Sequence, residues 1–535
     1  MEGRPIHSAQ RVLGAERPWR LYSIDSSRRI EAAALRNWPQ GALMAMAGRQ
    51  VARWVLSMAP HAQRIWVAAG PGGNGGDGLF AAAHLAQCGK RVGISLHGAT
   101  LEQVLQDTPS ANQQALKQAW KQALNAGCVP HDAGRVHQPD LVIDALLGLG
   151  TNRPLSPSMA EAVQAIRAQA CPCLSIDLPT GLHADTGQAL GPVIVKARAT
   201  LSLLTLKPGL FMGEGRDAAG DIWFDRLDHG AWYDDEPPVA HTICRPLSTG
   251  IAAARPHASH KGSFGDVVVV GGAPGMSGAL RLAAHAALAA GAGRVIAVPL
   301  DAASPLLDEV RPECMWMRPD TLLQDYPLEK ATVICGCGGG PAVQGLLPAL
   351  MRRAQRLVLD ADALNALAAQ PSIALELQAR ADRGLRTILT PHPLEAARLL
   401  QSTAPEVQGA RLDAAKRLAA QHRATVVLKG SGTVVATSGE VPCVNLTGGG
   451  SLAVGGTGDV LAGWLGGRWA GIQAGTALAR GLQDGGADPQ SQQTHLAACH
   501  AVCTHGRAAD RLGSVNAVRA LDLVEQMRRE LAHLS

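Results

Sequence analysis

The chain repeats one order of elements: a short apolar run, a glycine-rich or polar turn, and an apolar segment of helical periodicity. Residues 64–69 and 267–271 are apolar runs of this kind, and a helical pattern follows each of them after a turn. Strands that alternate with helices in this way form mostly parallel sheets with helices on both faces. The sequence therefore predicts an α/β fold of three layers.

Two large domains fit the length of 535 residues, because open α/β sheets commonly exceed ~150 residues. Proline and charged residues concentrate between 234 and 256, where apolar periodicity is lost. Such a composition is typical of a linker. We predict a first domain at 1–235, a linker at 236–255 and a second domain at 256–535.

Composition limits the partners of the chain. The 49 basic and 44 acidic residues are spread along it, and only 10 Trp, 3 Tyr and 4 Phe are available to stack on bases. Nucleic acid is therefore not indicated, and small-molecule substrates are favoured. No run is apolar and long enough for a membrane span or a signal peptide, so we expect a cytoplasmic protein. The 11 cysteines lack zinc-finger spacing and are expected to be reduced thiols.

The stretch at 445–463 carries a chemical signal. Glycines 455, 456 and 458 lead through Asp459 into an apolar helical pattern. Uncovered N–H groups at the start of a helix bind anions such as phosphate. A carboxylate among them suits a base that takes a proton from a hydroxyl attacking a phosphoryl group. The alternative is a structural turn in which Asp459 is an ordinary helix N-cap.

Three strand ends in the first half carry polar side chains. A glycine-dense segment at 70–78 holds Asn74 and Asp77, and its spacing is neither that of a dinucleotide-binding fingerprint nor that of a Walker loop. We predict that this segment is a loop and that a helix begins at 79. Asp144 and Asp177 stand near the ends of two further apolar runs. Loops at the carboxyl ends of parallel strands converge on one cleft, although two N-capping aspartates would give the same pattern.

These first-half motifs resemble the epimerase domain of the bifunctional NAD(P)H-hydrate repair enzymes, over about residues 20–230. The resemblance implies a Rossmann-like domain with a potassium site at Asn74, Asp144 and Thr180, and it makes Asp144 a candidate catalytic residue. It also implies contacts to the hydrated nicotinamide nucleotide from Gly73, Asn74, Gly75, Gly76, Asp77, Gly148, Leu149, Gly150, Thr151, Asn152, Arg153, Pro154 and Asp177. Gly73 and Thr180 depart from the usual Asn and Ser of that family.

The second half is similar to the dehydratase part of the same family, within the ribokinase-like fold. Gly-Gly-Thr-Gly-Asp459 resembles the Gly-Ala-Gly-Asp signature of that fold, and four more strand-end loops fit, at 336–340, 360–365, 390–395 and 429–433. The resemblance implies Asp459 as the base. It also implies nucleotide contacts from Lys429, Gly430, Ser431, Gly432, Thr433 and Gly458, and hydrate contacts from Ala279, Gly340 and His392. Cys337, Gly339 and Gly449 depart from the family pattern.

The resemblance implies a repair reaction on damaged nicotinamide cofactors. The first domain would interconvert the R and S epimers of hydrated NADH and NADPH with K⁺. The second would use ADP or ATP with Mg²⁺ to dehydrate the S epimer, releasing phosphate and AMP or ADP. We expect a homo-oligomer. Two alternatives stay open: an ordinary ribokinase-like kinase of a vitamin precursor, and a first domain that only binds nucleotides.

Overall fold

The computed structural model describes residues 9–12, 17–36, 38–39, 41–106, 110–131, 138–227, 235–243, 255, 257–472, 488–513 and 516–532. The chain divides into two compact units, whose main spans are Trp19–Ala240 and His241–Ser535. No helix within these described ranges is both long and apolar enough to cross a membrane.

The first unit is built on a sheet with the order β1-β9-β8-β7-β6-β3-β4-β5. All neighbours in it are parallel except β1 and β9. The strands of this unit are β1 (Gln10–Arg11), β2 (Arg20–Leu21), β3 (Arg64–Ala69), β4 (Arg91–Leu96), β5 (Val129–Pro130), β6 (Leu141–Ala145), β7 (Cys173–Ile176), β8 (Ala199–Leu203) and β9 (Asp221–Asp225). The chain reverses its direction of travel across the sheet between β3 and β6, which places a crevice at their carboxyl ends.

Helices cover the sheet of the first unit. They are α1 (Ile24–Arg36), α2 (Ala42–Met58), α3 (Gly73–Gln87), α4 (Leu101–Leu105), α5 (Ala111–Asn125), α6 (Pro157–Arg167) and α7 (Gly215–Ala218). Helices α1 and α2 lie on either side of residues 39–41.

The prediction that residues 73–78 form a loop is wrong, because α3 begins at Gly73. Its glycines serve close packing. A Cβ on Gly75 would lie 1.9 Å from the carbonyl oxygen of Gly70, and one on Gly76 would lie 2.2 Å from Met44 Sδ. The helix therefore approaches its neighbours more closely than any side chain would allow.

The second unit has a sheet that runs β13-β12-β11-β14-β15-β16-β17-β18-β19-β10. Its strands are β10 (Ala240–Thr242), β11 (Asp266–Gly271), β12 (Arg294–Pro299), β13 (Met315–Trp316), β14 (Ala331–Cys335), β15 (Arg356–Leu359), β16 (Arg386–Leu389), β17 (Thr425–Leu428), β18 (Val434–Ala436) and β19 (Cys443–Val444). The seven strands from β13 to β17 in this sheet order, which include β11 and β12, are parallel. Strand β18 is antiparallel to both of its neighbours. Here the direction of travel reverses between β11 and β14.

The helices of the second unit lie on both faces of its sheet. They are α8 (Ser277–Ala289), α9 (Pro319–Asp325), α10 (Val343–Arg353), α11 (Ala361–Ala369), α12 (Pro371–Asp382), α13 (Pro393–Leu400), α14 (Ala404–Gly409), α15 (Arg411–His422), α16 (Thr457–Ala470), α17 (Pro489–Leu512) and α18 (Ala520–Ala532). Gly463 lets α16 pack on α8, since a Cβ there would lie 2.1 Å from the carbonyl oxygen of Ala283.

Part of the predicted linker has regular structure. Residues 240–242 form β10, which pairs in parallel with β19. Residues 244–254 lie outside the described residues. The limits predicted for the two domains therefore stay predictions.

Candidate active sites

A cavity of about 1190 Å³ opens at the crevice between β3 and β6 of the first unit. It is lined by eleven of the residues predicted to contact the hydrated nucleotide, namely Gly73, Asn74, Asp77, Gly148, Leu149, Gly150, Thr151, Asn152, Arg153, Pro154 and Asp177. Gly75 and Gly76 are buried in the packing of α3 instead. Three segments that are distant in sequence thus meet at one cavity.

Asn74 and Asp77 are one helical turn apart at the start of α3. Both amide atoms of Asn74, Oδ1 and Nδ2, are buried and have no hydrogen-bond partner among the described residues. Burial raises the pKa of Asp77, and the carboxylates of Asp177 and Glu31 raise it further. An unpartnered buried amide is costly in a folded protein, so Asn74 is a candidate for contact with an ion or a ligand.

Asp144 is fully buried in β6 and accepts four hydrogen bonds. Thr180 donates to it from Oγ1 at 2.7 Å and from its N–H at 2.9 Å. Ser175, its partner in β7, donates at 2.9 Å, and the N–H of Leu146 donates at 3.3 Å. Burial raises the pKa of Asp144, while these donors oppose that rise. Asp144 and Thr180 do not line the cavity, and a part for Asp144 in proton transfer stays a prediction.

Lys207, which the sequence pattern does not single out, forms an ion pair with Asp177 at the cavity wall. Only 2% of the Lys207 side chain is exposed, and its ammonium also donates to the carbonyl oxygen of Leu203 at 2.9 Å. The pair lies beside Glu31, whose pKa is raised by burial. Lys207, Asp177, Asp77 and Glu31 therefore form a coupled set of ionisable groups on one cavity, which is typical of a functional site.

In the second unit, Asp459 lies in the first turn of α16. The helix begins at Thr457 and its N-cap is Gly456, which has a φ of 91°. The alternative that Asp459 is an N-cap is therefore wrong. Thr457 holds the turn in place, because its hydroxyl donates to the carbonyl oxygens of Leu452 and Val454 at 2.9 and 3.0 Å. The carboxylate thus lies at the positive end of a helix, beside N–H groups that bind anions.

Asp459 faces Asp360, a buried residue at the end of β15. Their carboxylate oxygens and the thiol sulfur of Cys337 all lie within 4.8 Å of one another. Burial raises the pKa of Asp459 to about 6, the charge of Asp360 adds to the rise, and the Cys337 thiol and Lys429 oppose it. A carboxylate with a pKa near 6 is suited to act as a general base at neutral pH.

Lys429 directly follows β17 and lies opposite Gly458, where a Cβ would be 3.6 Å from Nζ. Its ammonium donates to Asp360 Oδ1 at 2.7 Å, and Thr390 donates to the same oxygen at 2.7 Å. Burial lowers the pKa of Lys429, but the carboxylates of Asp360 and Glu395 raise it by more. Lys429 therefore remains a cation at the glycine turn.

Arg411 supports the predicted nucleotide loop at 429–433. This buried guanidinium donates to the carbonyl oxygens of Leu428, Lys429 and Gly432 at 3.1 to 3.3 Å. Gly430 passes so close that a Cβ on it would lie 2.9 Å from Arg411 Nη1. No sequence pattern marks Arg411, because the contact joins a helix to a loop about twenty residues further along the chain.

His392 caps α13 and is half-exposed. Its Nδ1 accepts hydrogen bonds from the N–H groups of Leu394 and Glu395 at 3.1 and 3.4 Å. Its Nε2 lies 3.2 Å from Glu395 Oε1. Since Nδ1 is an acceptor, the ring carries its proton on Nε2. Burial lowers the pKa of His392, and the charge of Lys429 lowers it further. The ring is therefore fixed in a neutral form beside Lys429.

Ala279 and Gly340 lie at the switch point between β11 and β14. Gly338 packs on Ala279, where a Cβ would lie 3.0 Å from Ala279 Cβ. The N–H of Gly340 donates to Asp362 Oδ2 at 2.8 Å. Cys337, in the same loop, is the residue that reaches Asp459. The loop thus connects the predicted hydrate contacts to the predicted base.

The second unit is therefore a ribokinase-like α/β/α unit with a carboxylate, a lysine and a helix N-terminus together at one site, and the first is a Rossmann-like unit with a cavity at its switch point. Comparison with known proteins gives the particular family. Residues 40–209 match the YjeF-related protein N-terminus family, and residues 267–529 match the NAD(P)H-hydrate dehydratase family. The chain belongs to the bifunctional NAD(P)H-hydrate repair enzymes.

Three relatives illustrate the match. The bifunctional NAD(P)H-hydrate repair enzyme Nnr of Escherichia coli (strain K12) is 34% identical, covering 96% of this chain and 94% of the relative. That of Leishmania braziliensis is also 34% identical, covering 93% and 90%. Among solved structures, the ADP/ATP-dependent NAD(P)H-hydrate dehydratase from Bacillus subtilis, co-crystallised with ATP/Mg²⁺, is 28% identical, covers 55% of this chain and 99% of that chain, and has a TM-score of 0.44.

Proposed function

We propose that this chain restores hydrated NADH and NADPH to the working cofactors. The first unit interconverts the R and S epimers at C6 of the hydrated ring. The second unit removes water from the S epimer in a reaction that consumes ADP or ATP and releases phosphate with AMP or ADP. The observation that carries the proposal is Asp459, a carboxylate with a pKa of about 6 at the start of a helix, in a chain that matches the repair family along nearly its whole length.

Asp459 acts on the C6 hydroxyl of the hydrate. The carboxylate accepts the hydroxyl proton while the oxygen attacks the terminal phosphoryl group of the nucleotide. Phosphate is a better leaving group than hydroxide, so the C6–O bond then breaks and loss of a proton from C5 restores the C5–C6 double bond. The N–H groups at the start of α16 and the ammonium of Lys429 offset the charge that develops on the phosphoryl oxygens.

The nucleotide and the hydrate approach Asp459 from different loops. We assign nucleotide contacts to Lys429, Gly430, Ser431, Gly432, Thr433 and Gly458, a set supported by the Arg411 contacts to the 428–432 backbone. We assign hydrate contacts to Ala279, Gly340 and His392. The loop that holds Gly340 also holds Cys337, which contacts Asp459.

Magnesium fits the second site as a companion of the nucleotide. Mg²⁺ prefers oxygen ligands and is usually bound by phosphates with one or two carboxylates. Asp360 and Asp459 are carboxylates of this kind, whereas the Cys337 thiol is not a ligand that Mg²⁺ prefers. The ion would supply further positive charge at the phosphates, and Asp360 would hold it.

Potassium fits the first site. Asn74 Oδ1 is buried and has no hydrogen-bond partner in the part of the chain that the structure describes, and Thr180 Oγ1 lies 2.7 Å from Asp144 Oδ1 and 3.3 Å from the carbonyl oxygen of Leu147. One carboxylate with neutral oxygen donors suits a large monovalent cation better than Mg²⁺. Asn74, Asp144 and Thr180 would hold the ion, which would orient Asn74 at the cavity wall.

Epimerisation requires groups that exchange protons at the cavity. Asp77, Asp177 and Glu31 line it together with Lys207, and they are nearer candidates than Asp144, which lies behind its wall. That the chain forms a homo-oligomer in the cytoplasm belongs to the same proposal, and light scattering and cell fractionation test it.

The test is to supply hydrated NADH with ADP or with ATP and to follow the return of dihydronicotinamide absorbance together with free phosphate. The proposal predicts equal amounts of NADH and phosphate. A phosphorylated product that persists would mean an ordinary kinase instead. Incubation of the full chain with one pure epimer, without nucleotide, tests the first unit, because an unchanged epimer would make that unit a binding module.

A further inference from the structure

Three buried side chains with sulfur and nitrogen donors meet in the second unit, and the site around Asp459 does not use them. Cys443 lies in β19, and His495 and Cys499 lie one turn apart on α17. All three are buried, and one donor atom from each lies within 4.8 Å of the other two. His495 Nε2 is 3.3 Å from Cys443 Sγ. The sequence does not reveal this cluster, because Cys443 and His495 are 52 positions apart in the chain.

Two threonine hydroxyl groups orient the ring of His495 through its Nδ1 atom. Thr437 Oγ1 lies 3.0 Å from His495 Nδ1, and Thr425 Oγ1 lies 2.8 Å from Thr437 Oγ1. A proton on Nδ1 can be donated to Thr437, which leaves the lone pair of Nε2 directed at the sulfur of Cys443. Histidines that bind metal ions are commonly fixed in this way by a hydrogen bond at the other ring nitrogen.

We propose that Cys443, His495 and Cys499 form a structural zinc site. In a tetrahedral zinc site the Zn–S and Zn–N distances of about 2.3 and 2.0 Å place neighbouring donor atoms roughly 3.5 Å apart. The observed separation of 3.3 Å between Nε2 and Sγ is close to that value. Two thiolates and one imidazole are a ligand set that selects zinc over Mg²⁺ or K⁺.

In this proposal Glu440 becomes the fourth ligand when zinc binds, by a change in its side-chain rotamer. It lies in the turn between β18 and β19 and interacts electrostatically with both His495 and Cys443, but its carboxylate is outside the group of donor atoms that lie within 4.8 Å of one another. Its Oε1 is buried and has no hydrogen-bond partner in the described part of the chain. A buried carboxylate oxygen of this kind is costly unless something binds it, and zinc accepts carboxylate oxygen as a ligand.

The site is structural because it is closed. Its three Cys and His ligands are buried, so no position is open to a substrate. Zinc would join β19 to α17. The strand continues into Asn445, whose N–H donates to the carbonyl oxygen of Thr433 at 2.9 Å, so the ion would also steady the end of the nucleotide loop.

Zinc content of the full chain tests the proposal. After treatment with a reductant and a chelator, the protein is loaded with zinc, desalted and analysed for metal. We expect one zinc ion per chain in the wild type and loss of that ion in Cys443→Ala, Cys499→Ala and His495→Ala. Cys335→Ala, which removes an equally buried thiol of the same unit, should keep it. Thr437→Val should weaken zinc binding about 10-fold, and Glu440→Gln by a similar factor.

A second measurement does not depend on any variant folding. Cobalt in place of zinc in the wild type should give thiolate-to-cobalt charge-transfer bands and the visible bands of tetrahedral coordination. Wild-type protein without zinc, zinc content that is equal in the ligand variants, or cobalt spectra without thiolate bands would overturn the proposal. A Cys443–Cys499 disulfide that forms in the presence of zinc would also overturn it.

Discussion

Lys429 Nζ donates to Asp360 Oδ1 at 2.7 Å, although the two residues are 69 positions apart in the chain. This ion pair sets the surroundings of Asp459. Asp360 raises the pKa of Asp459 and Lys429 lowers it, in addition to the rise that burial causes. The base is therefore held near a pKa of 6, where it is ionised at neutral pH and still accepts a proton readily.

The thiol of Cys337 should shift the pH dependence of dehydration. Its hydrogen bond lowers the pKa of Asp459, so Cys337→Ala should raise that pKa. Because the base must be ionised, kcat/KM of the wild type should rise with pH through about 6 and be lost below it. In Cys337→Ala the same rise should occur at higher pH. The control is Cys335→Ala, and a pH profile that is identical in wild type and Cys337→Ala would contradict this prediction.

Two variants should separate the role of His392 as a helix cap from its role as a ligand contact. His392→Ala removes both, and loss of the cap should cost about 1 kcal/mol of stability. His392→Asn retains a good N-cap side chain without the ring. If the ring contacts the hydrate, both variants should raise KM for the hydrate more than KM for the nucleotide. Full recovery of the hydrate KM in His392→Asn would mean that the residue only caps α13.

The sequence could predict those parts of the fold and site that are coded locally. Apolar runs such as 64–69 mark buried strands, and a carboxylate or glycine just after a run lies at a switch point because parallel strands end on one edge. The position of Asp459 at the start of a helix is predictable for this reason, because the glycines before it and the apolar helical pattern after it are adjacent in sequence.

The remaining features depend on contacts between distant residues. Asn74 and Asp77 lie in a helix, because glycines that look like a loop in sequence serve the close packing of α3. The partner of Asp177 is Lys207, 30 residues away, and nothing local marks that lysine. The same is true of Arg411, whose partners are backbone carbonyl groups of another loop.

Arg411 should control nucleotide affinity without taking part in the chemistry. Arg411→Lys loses the planar fork that reaches three carbonyl groups, so the 429–433 loop should bind nucleotide less tightly. We expect a higher KM for ADP or ATP with an unchanged pKa in the pH profile. Arg417→Lys, on the exposed face of the same helix, is the matched control. A change in the pH profile of Arg411→Lys would show a direct effect on the base.

Potassium should stabilise the first unit through Asp144. A cation that binds only the folded state raises the melting temperature, and the rise grows with the logarithm of the cation concentration once the site is filled. Wild-type protein should therefore melt at a higher temperature in potassium than in choline buffer and should epimerise only in the former. Asp144→Asn should lose both effects while dehydration of the S epimer continues.

One result would count against this site. Epimerisation at full rate in choline buffer would remove the cation from the account, and the four donors to Asp144 would then suffice to stabilise its charge. Ser175→Ala is the control for altered packing, because it removes one of those donors and leaves the carboxylate in place.

The most direct test of the central claim is single-turnover dehydration of the S hydrate by Asp459→Asn. The amide keeps the shape of the side chain but cannot accept the hydroxyl proton, so we expect a rate loss of ~10²–10⁴-fold with nucleotide affinity nearly unchanged. Unchanged nucleotide affinity shows that the second unit is folded, and epimerisation by the first unit should be unaffected. More than about a tenth of the wild-type rate would contradict the assignment of Asp459 as the base, given the usual cost of losing one.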